Sequence, residues 1–307
     1  MGNKQRYLGG FIGTAVPSSG VTPTNAQPGI FGISGQYYMK EAGGWTISAS
    51  EGMAATGGTT TEYTDPTGTY KSHTFTSTGS FVVTKSPSGS AYDCEFYLQA
   101  GGGGSDPYPS GNRESGSGGG GALYGPAGPL GTATYPVSIG AGGNAGNGSN
   151  SVFATPSPGP GPHTALGGGR GGAGDPDPGN LGSNGGCGGG AWYINGLPDN
   201  KGESTQTSPH PTITALGNPG GNGASSPEYG GAGGGTGGAG GQGAAKGPGT
   251  ANVYRYGPTN PQTYGDGGMA SDYPSTNRQG AGGANTGAGS SAFASGGSGI
   301  LVIRYKI

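Results

Sequence analysis

The feature that most limits what this chain can fold into is the placement of its glycines. Of 79 Gly in 307 residues, 63 fall between residues 101 and 299. They come as short separated runs: Gly101–Gly104, Gly116–Gly121, Gly140–Gly148, Gly167–Gly174, Gly185–Gly190, Gly217–Gly223, Gly230–Gly249, Gly265–Gly268, Gly280–Gly289 and Gly296–Gly299. No α-helix is expected at that density, because each Gly costs about 0.8–1 kcal/mol relative to Ala in a helix. Gly also loses more backbone entropy on folding than any other residue. An ordered glycine run therefore needs its backbone N–H and C=O groups satisfied by neighbours. A three-residue-per-turn extended helix has no internal hydrogen bonds and points its backbone groups outward. Without Cβ atoms, several such helices can pack side by side and bond to one another. Hydrogen-bond accounting thus predicts a bundle of about ten short polyglycine-II helices.

Composition excludes several other classes of protein. Leu, Ile, Val and Phe total 34, too few for an ordinary apolar core, and 25 Pro add further chain breaks. The formal net charge is only −2, so self-repulsion does not hold the chain open as it would in a charged disordered segment. No stretch approaches the roughly 20 apolar residues of a membrane helix, so no membrane insertion is expected. The start, MGNKQRYLGGFIGTAVPSSG, lacks the layout of a signal peptide. Lys and Arg number 13 and are scattered, which leaves no footprint for nucleic acid. Collagen needs Gly strictly at every third position, and here Gly is clustered. Cys94 and Cys187 make neither a disulfide framework nor a zinc site; they are expected as free thiols, with one long-range disulfide as the alternative.

Three regions follow. Residues 1–58 read as an extended arm with a short helical turn or two over Ser34–Gly43, capped by Ser34 and stopped by Gly43–Gly44. Residues 59–100 carry strand signals (TTTEYT, TYKSHTFTSTGSFVVTK, SAYDCEFYLQA) separated by the turns Asp65–Gly68, Thr78–Gly79 and Pro87–Gly89. Phe75, Phe81 and Val83 alternate about Thr78–Gly79 as in a hairpin with one buried face. Tyr92, Cys94, Phe96 and Leu98 share a face opposite Asp93, Glu95, Tyr97 and Gln99, which predicts a half-buried strand. The densest apolar run, Ile300–Ile307, is expected to return as a strand of the same sheet. The fold class expected is all-β: a small antiparallel sheet or sandwich from 59–100 and 299–307, with the polyglycine-II bundle of 101–298 inserted between.

Chemistry-bearing motifs are weak, and no catalysis, cofactor or metal is expected. GxGxxG-like strings recur, but none sits between a strand and a helix. His73, His163 and His210 have no ligand-like spacing, and His73 alternates within its strand as a surface residue would. Asp175-Pro-Asp-Pro178 reads as a turn rather than a glycosidase pair. Among bulky residues Tyr leads, and Tyr108, Trp192, Tyr193, Tyr254, Tyr256 and Tyr264 are candidates for receptor contact; rings lying flat over glycine surface, or filling the gap between sheet and lattice, are the alternative. If the runs alternate in direction, connectors 105–115, 149–166, 191–216, 250–264 and 290–295 lie at the far end and carry these rings there. Pairing of Val137–Ile139 with Ser151–Phe153 would shift that alternation by one.

A strand ending FYLQAGGGG, then Arg113-Glu-Ser-Gly-Ser-Gly-Gly-Gly-Gly, Thr134-Tyr-Pro-Val-Ser-Ile-Gly-Ala-Gly-Gly, Asn147-Gly-Ser-Asn-Ser-Val-Phe and a terminal SGGSGILVIRYKI resemble the glycine-rich domain of virion proteins of tailed phages, marine and cyanophage ones in particular. The architecture is similar to the polyglycine-II adhesins at the tips of T-even-type long tail fibres. Cys94 at a strand position and the Pro-rich connectors depart from that pattern. The resemblance implies a virion-exposed, receptor-binding protein. Its arm would attach to other virion proteins, its loops would contact a host glycan or outer-membrane protein, and trimers are a common state for fibres. The alternatives are a purely structural virion protein, such as a capsid decoration or fibre subunit, or an extracellular matrix or filament protein.

Overall fold

A computed structural model describes residues 30–33, 36–41, 44–49, 52–86, 94–105, 114–128, 130–154, 162–173, 181–193, 200–225, 228–271, 280–291 and 294–307. The chain forms two units, one from residues 1–52 with 87–89 and one from the remainder. In the first, β1 (Ile30–Ile33), β2 (Gln36–Glu41) and β3 (Gly44–Ala49) make an antiparallel sheet in the order β1-β2-β3. The helical turn expected over Ser34–Gly43 is thus corrected to a strand at Gln36–Glu41. Six residues between two turn signals are too few for a stable helix, and adjacent Tyr37 and Tyr38 favour a pleated surface.

The second unit is all-β, with no helix among its described residues. Its strands are β4 (Ala54–Thr56), β5 (Thr59–Asp65), β6 (Gly68–Phe75), β7 (Gly79–Lys85), β8 (Glu95–Gln99), β9 (Ala122–Pro126), β10 (Ala133–Ser138), β11 (Ser151–Phe153), β12 (His163–Ala165), β13 (Thr214–Leu216), β14 (Ala224–Ser225), β15 (Glu228–Tyr229), β16 (Thr250–Asn252), β17 (Gln262–Tyr264) and β18 (Ile300–Lys306). A six-stranded sheet runs β13-β9-β8-β18-β6-β5 and a five-stranded sheet β12-β11-β10-β7-β4. The C-terminal strand β18 lies antiparallel between β8 and β6, with Ile303 opposite both Phe96 and His73. Five inserted segments, β9 to β13, add to the sheets built by the chain's two ends.

Phe75, Phe96, Leu98, Leu123, Leu301 and Ile303 from one sheet meet Phe81, Val83, Tyr135, Val137 and Phe153 from the other in a single core. The sheets therefore form a sandwich. Burying each large side chain contributes on the order of 1.5–3 kcal/mol, and few residues suffice because the core is thin. The turn at Asp65–Gly68 forms as expected. The one at Thr78–Gly79 does not make a hairpin: β6 and β7 belong to different sheets, and the chain crosses the sandwich between them. Phe75 and Phe81 are both buried because each faces the shared interior.

β8 is buried on both faces rather than one. Cys94, Phe96 and Leu98 enter the sandwich core, whereas Tyr97 lies under a second cluster with Tyr254, Tyr264, Ile300 and Val302. Its cover is the β16–β17 hairpin. Gly257 in that hairpin has φ +83°, and a Cβ there would stand 2.8 Å from the Tyr63 ring. His73 is likewise buried, not a surface residue. Cys94 and Cys187 are free and buried, so the disulfide alternative does not hold.

The glycine runs bond to one another with a three-residue period. In 115–121, the N–H groups of Ser115, Gly118 and Gly121 donate to the carbonyls of Gly172, Gly169 and Leu166 (3.0, 2.8 and 2.8 Å). Gly116 and Gly119 donate to Gly231 and Gly234 (3.0 and 2.9 Å), and Ser117 and Gly120 to Ser290 and Gly287 (3.0 and 2.8 Å). The carbonyls of the same run accept from three other runs, at Ala100 and Gly103, at Cys187 and Gly190, and at Gly268. Successive residues thus address different neighbours, and every third residue returns to the same one. No glycine of runs 101–104 or 116–121 has a positive φ.

Close approach explains why glycine is required. A Cβ on Gly103 would lie 2.2 Å from the Gly169 carbonyl oxygen, and one on Gly118 2.2 Å from that of Cys187. Gly280, by contrast, has nothing within 4 Å of that position. We expect Gly103→Ala to cost more than about 3 kcal/mol or to block folding, since backbone on both sides must shift. Gly280→Ala should be neutral or stabilise by about 0.4–1 kcal/mol through the unfolded state. Urea denaturation of the two variants checks this, and equal effects would contradict it.

Candidate functional site: the loop end of the glycine array

Several glycine runs start or finish on a sheet strand. Run 100–105 leaves β8, run 114–121 enters β9, run 166–173 leaves β12, run 217–223 leaves β13, run 265–271 leaves β17 and run 294–299 enters β18. Their other ends therefore gather opposite the sandwich. Contacts among those ends agree: Ser105 bridges Gly171, and Glu114 bridges Ala173. Ser271 N–H donates to the Glu114 carbonyl (3.1 Å), and Ser105 N–H to that of Ala294 (3.4 Å). A Cβ on Gly230 would stand 2.6 Å from the Glu114 carbonyl oxygen and 3.1 Å from the Trp192 ring. Asn200 Nδ2 ties the Trp192 carbonyl to the next run at 2.8 Å. Between these flanks the chain passes through 106–113, 174–180, 194–199, 226–227, 272–279 and 292–293, which lie outside the described residues.

The predicted ring set divides. Tyr108 lies outside the described residues. Trp192 and Tyr193 are at the loop end, the first 3 % exposed and the second half-buried. Tyr254 and Tyr264 are corrected to the sandwich: both pack on Tyr97, Ile300 and Val302. Tyr264 meets Tyr97 with ring centroids 5.2 Å apart. Tyr256, half-buried on the same hairpin, carries the Arg255 guanidinium 4.8 Å above its ring.

The alternating scheme fails for a local reason. Val137 and Ser138 pair with Phe153 and Val152, and run 140–148 folds back on itself at Asn144–Gly146, with Ala145 at φ 55°. Connector 149–166 then supplies β11 and β12, and connector 191–216 ends as β13 beside β9 in the sheet that holds β8 and β6. Connectors 105–115 and 290–295 do turn at the loop end.

Around Tyr254 the sandwich carries a cluster of charged and phenolic side chains. Arg304 Nε donates to Glu95 Oε2 (2.7 Å), and its Nη1 to Tyr63 Oη (3.0 Å). Its guanidinium lies 4.0 Å over the Tyr254 ring and 4.7 Å over that of Tyr70. Tyr254 Oη donates to Glu95 Oε1 (3.1 Å). Burial and the Glu95 carboxylate push the Tyr254 phenol far above its ordinary range. Each polar head is committed to a partner, so this cluster clamps the hairpin to the sheet. Among the described residues no group of three His, Cys, Asp or Glu is placed to hold a metal ion.

Sequence reasoning overlooked the amides that close the array's edges. Asn150 Oδ1 accepts from Gly167 N–H and Asn147 Oδ1 from Arg170 N–H, both at 2.8 Å. Gln206 Oε1 accepts from Leu166 N–H and Asn184 Oδ1 from Glu203 N–H, again at 2.8 Å. These oxygens stand where a further run's carbonyls would be. The three-residue spacing of Asn147 and Asn150 inside a glycine-rich stretch is the one signal that could have found two of them.

A glycine-rich domain family model matches residues 75–306. No curated protein and no solved structure matches the chain. Removing an edge acceptor leaves a lattice N–H without a protein partner. Asn150→Ala should cost about 1–3 kcal/mol in chemical denaturation, whereas Asn260→Ala, on an exposed turn of the hairpin, should change stability by less than about 0.5 kcal/mol. Residues 75–306 span three-quarters of the sequence, and the chain belongs to the glycine-rich domain family.

Proposed function

We propose that this chain is a virion protein of a tailed phage, a tail-fibre or fibre-tip adhesin whose inserted segment is a polyglycine-II lattice holding receptor-contacting loops. The observation that carries this reading is the gathering of run ends Ser105, Glu114, Ala173, Ser271 and Ala294 opposite the sandwich. Such an end can change its connecting segments without touching the hydrogen bonds beneath, the division of labour of a binding scaffold. The three-residue hydrogen-bond period and the absence of positive φ in the central runs support the polyglycine-II geometry. Tyr193 flanks the loop end and supplies rigid aromatic area for a host glycan or outer-membrane protein, while Trp192, nearly fully buried, packs beneath it and fixes that end. The role is binding, without catalysis or cofactor. Residues 1–58 attach to other virion proteins, and the chain works as a trimer.

Gold-labelled antibody raised against the purified chain locates it on intact particles, and the purified chain is tested for binding to host cells. Label at fibre tips, with infection blocked when cells are pre-incubated with the protein, is the expected result. Label spread over the capsid without cell binding would replace the adhesin by a structural virion subunit. Unlabelled particles, with filaments forming from the purified chain alone, would overturn the virion assignment.

A further inference from the structure

Two of the chain's three histidines are sealed inside the sandwich, one from each sheet. His73, on β6 of the six-stranded sheet, places Nδ1 2.7 Å from the Gly57 carbonyl oxygen, in the link after β4 of the other sheet. Its ring stacks on Tyr305 at 5.7 Å and meets Phe81 of β7 edge-on at 5.1 Å. A carbonyl only accepts, so Nδ1 carries the proton of the neutral ring. Nε2 is left as the basic nitrogen, 3.2 Å from Tyr305 Oη. His163, on β12 of the five-stranded sheet, stacks on Phe96 of β8 across the interface at 4.4 Å. Phe153 is 6.3 Å away, and neither ring nitrogen has a hydrogen-bond partner among the described residues. Both residues have zero exposure.

Among the described residues no carboxylate makes a hydrogen bond to either ring. The ionisable groups that act on His73 are Lys71 on its own strand and Tyr305 on β18, with Glu62 of β5 opposite Lys71. The Glu62 carboxylate is engaged by Lys71 at 3.2 Å and is half exposed. The ionisable group that acts on His163 is His210. A proton taken up by either ring would therefore put an uncompensated charge between the sheets. The glycine array differs in kind. Its interior bonds are backbone to backbone or made by the uncharged Ser105, Ser117 and Ser290 hydroxyls, and the described carboxylates nearest it are Glu114, buried at the loop end, and Asp266, paired with Lys246 at the margin.

We propose that the sandwich is an acid-sensitive element joined to an acid-insensitive glycine array, so that protonation of His73 and His163 loosens the two sheets while the array stays bonded. The proposal holds wherever the chain works and does not rest on the adhesin reading. Desolvation lowers the His73 pKa and brings that of His163 down to about 4 from an ordinary 6.5. The sign follows from linkage: between those values the unfolded chain binds protons that the folded sandwich refuses. The stability that His163 contributes is then fully present above about pH 6.5 and is lost as pH falls toward 4, and that of His73 is lost in the same direction. For His163 alone the folding constant falls by up to about 300-fold over that window.

The test is native-state amide exchange of the full chain at pH 7 and pH 4.5, corrected for intrinsic rates. The account predicts loss of protection at β6, β8 and β11 while Gly103, Gly118 and Gly119 keep theirs. His163→Phe, which fills the aromatic site with an uncharged ring, should remove most of the loss. Overturning results are a joint loss across sandwich and array, unchanged sandwich protection at pH 4.5, or a His163→Phe protein as acid-sensitive as the parent. Should that variant not fold, NMR titration of the two rings in the unmodified protein decides. Midpoints well below 6.5 are expected, and ordinary titration near 6.5 with the sandwich intact would sink the proposal.

Discussion

The rest of the structure depends on backbone groups bonding directly to backbone groups across gaps that, at most glycine positions, leave no room for a Cβ. Positions such as Gly103 and Gly118 have neighbouring carbonyl oxygens only 2.2 Å from where a Cβ would sit. Ordering a residue's backbone costs on the order of 1–2 kcal/mol, more for Gly, and one hydrogen bond returns about 0.5–1.5 kcal/mol net. A single run cannot meet that cost. Run 115–121 can, because its N–H groups reach three neighbouring runs and its carbonyls serve three others. Stability is thus a property of the array rather than of any one run.

This constraint sets the division between the two parts of the second unit. The sandwich lies at one end of the array: β8, β9, β12, β13, β17 and β18 each continue into or out of a run. Side chains that would not fit the array are concentrated in the sandwich, where two thin sheets share a small core. At the array's margins Asn147, Asn150, Asn184 and Gln206 take over as acceptors for outward N–H groups. Inside it Ser117 stands among the glycines with its Oγ donating to the Gly103 carbonyl at 2.6 Å. The opposite end is left for chain reversal, and the flanks of the connecting segments collect there.

Much of this was legible in the residues themselves. Hydrogen-bond accounting on the glycine runs led to mutual bonding, and the Ile300–Ile307 run led to a C-terminal strand beside residues 70–98. What could not be read was partner choice. Phe75, Gly79 and Phe81 have the local pattern of a hairpin, but the Thr76–Thr78 link crosses between sheets, and no local signal separates those outcomes. Tyr97 alternates with Phe96 and Leu98 as an outward residue would, yet a hairpin from residues 250–264 covers it. Assigning Tyr254 and Tyr264 to a distal tip failed for the same reason. A fold at Ala145 and the pairing of Val137 with Phe153 reversed runs 166–173, 217–223 and 265–271, which leave strands where the alternation had them arriving. His73 looked like a surface residue because sequence spacing says nothing about a second sheet laid over the first.

The most direct test of the central claim is detection of the backbone hydrogen bonds themselves, by through-bond nitrogen–carbonyl couplings in isotope-labelled protein. Couplings are predicted from Gly118 to Gly169, Gly119 to Gly234 and Gly120 to Gly287, three successive residues addressing three different runs. Absence of these couplings, or couplings from alternate residues of 116–121 to one neighbouring segment as in an ordinary β-ladder, would contradict the account.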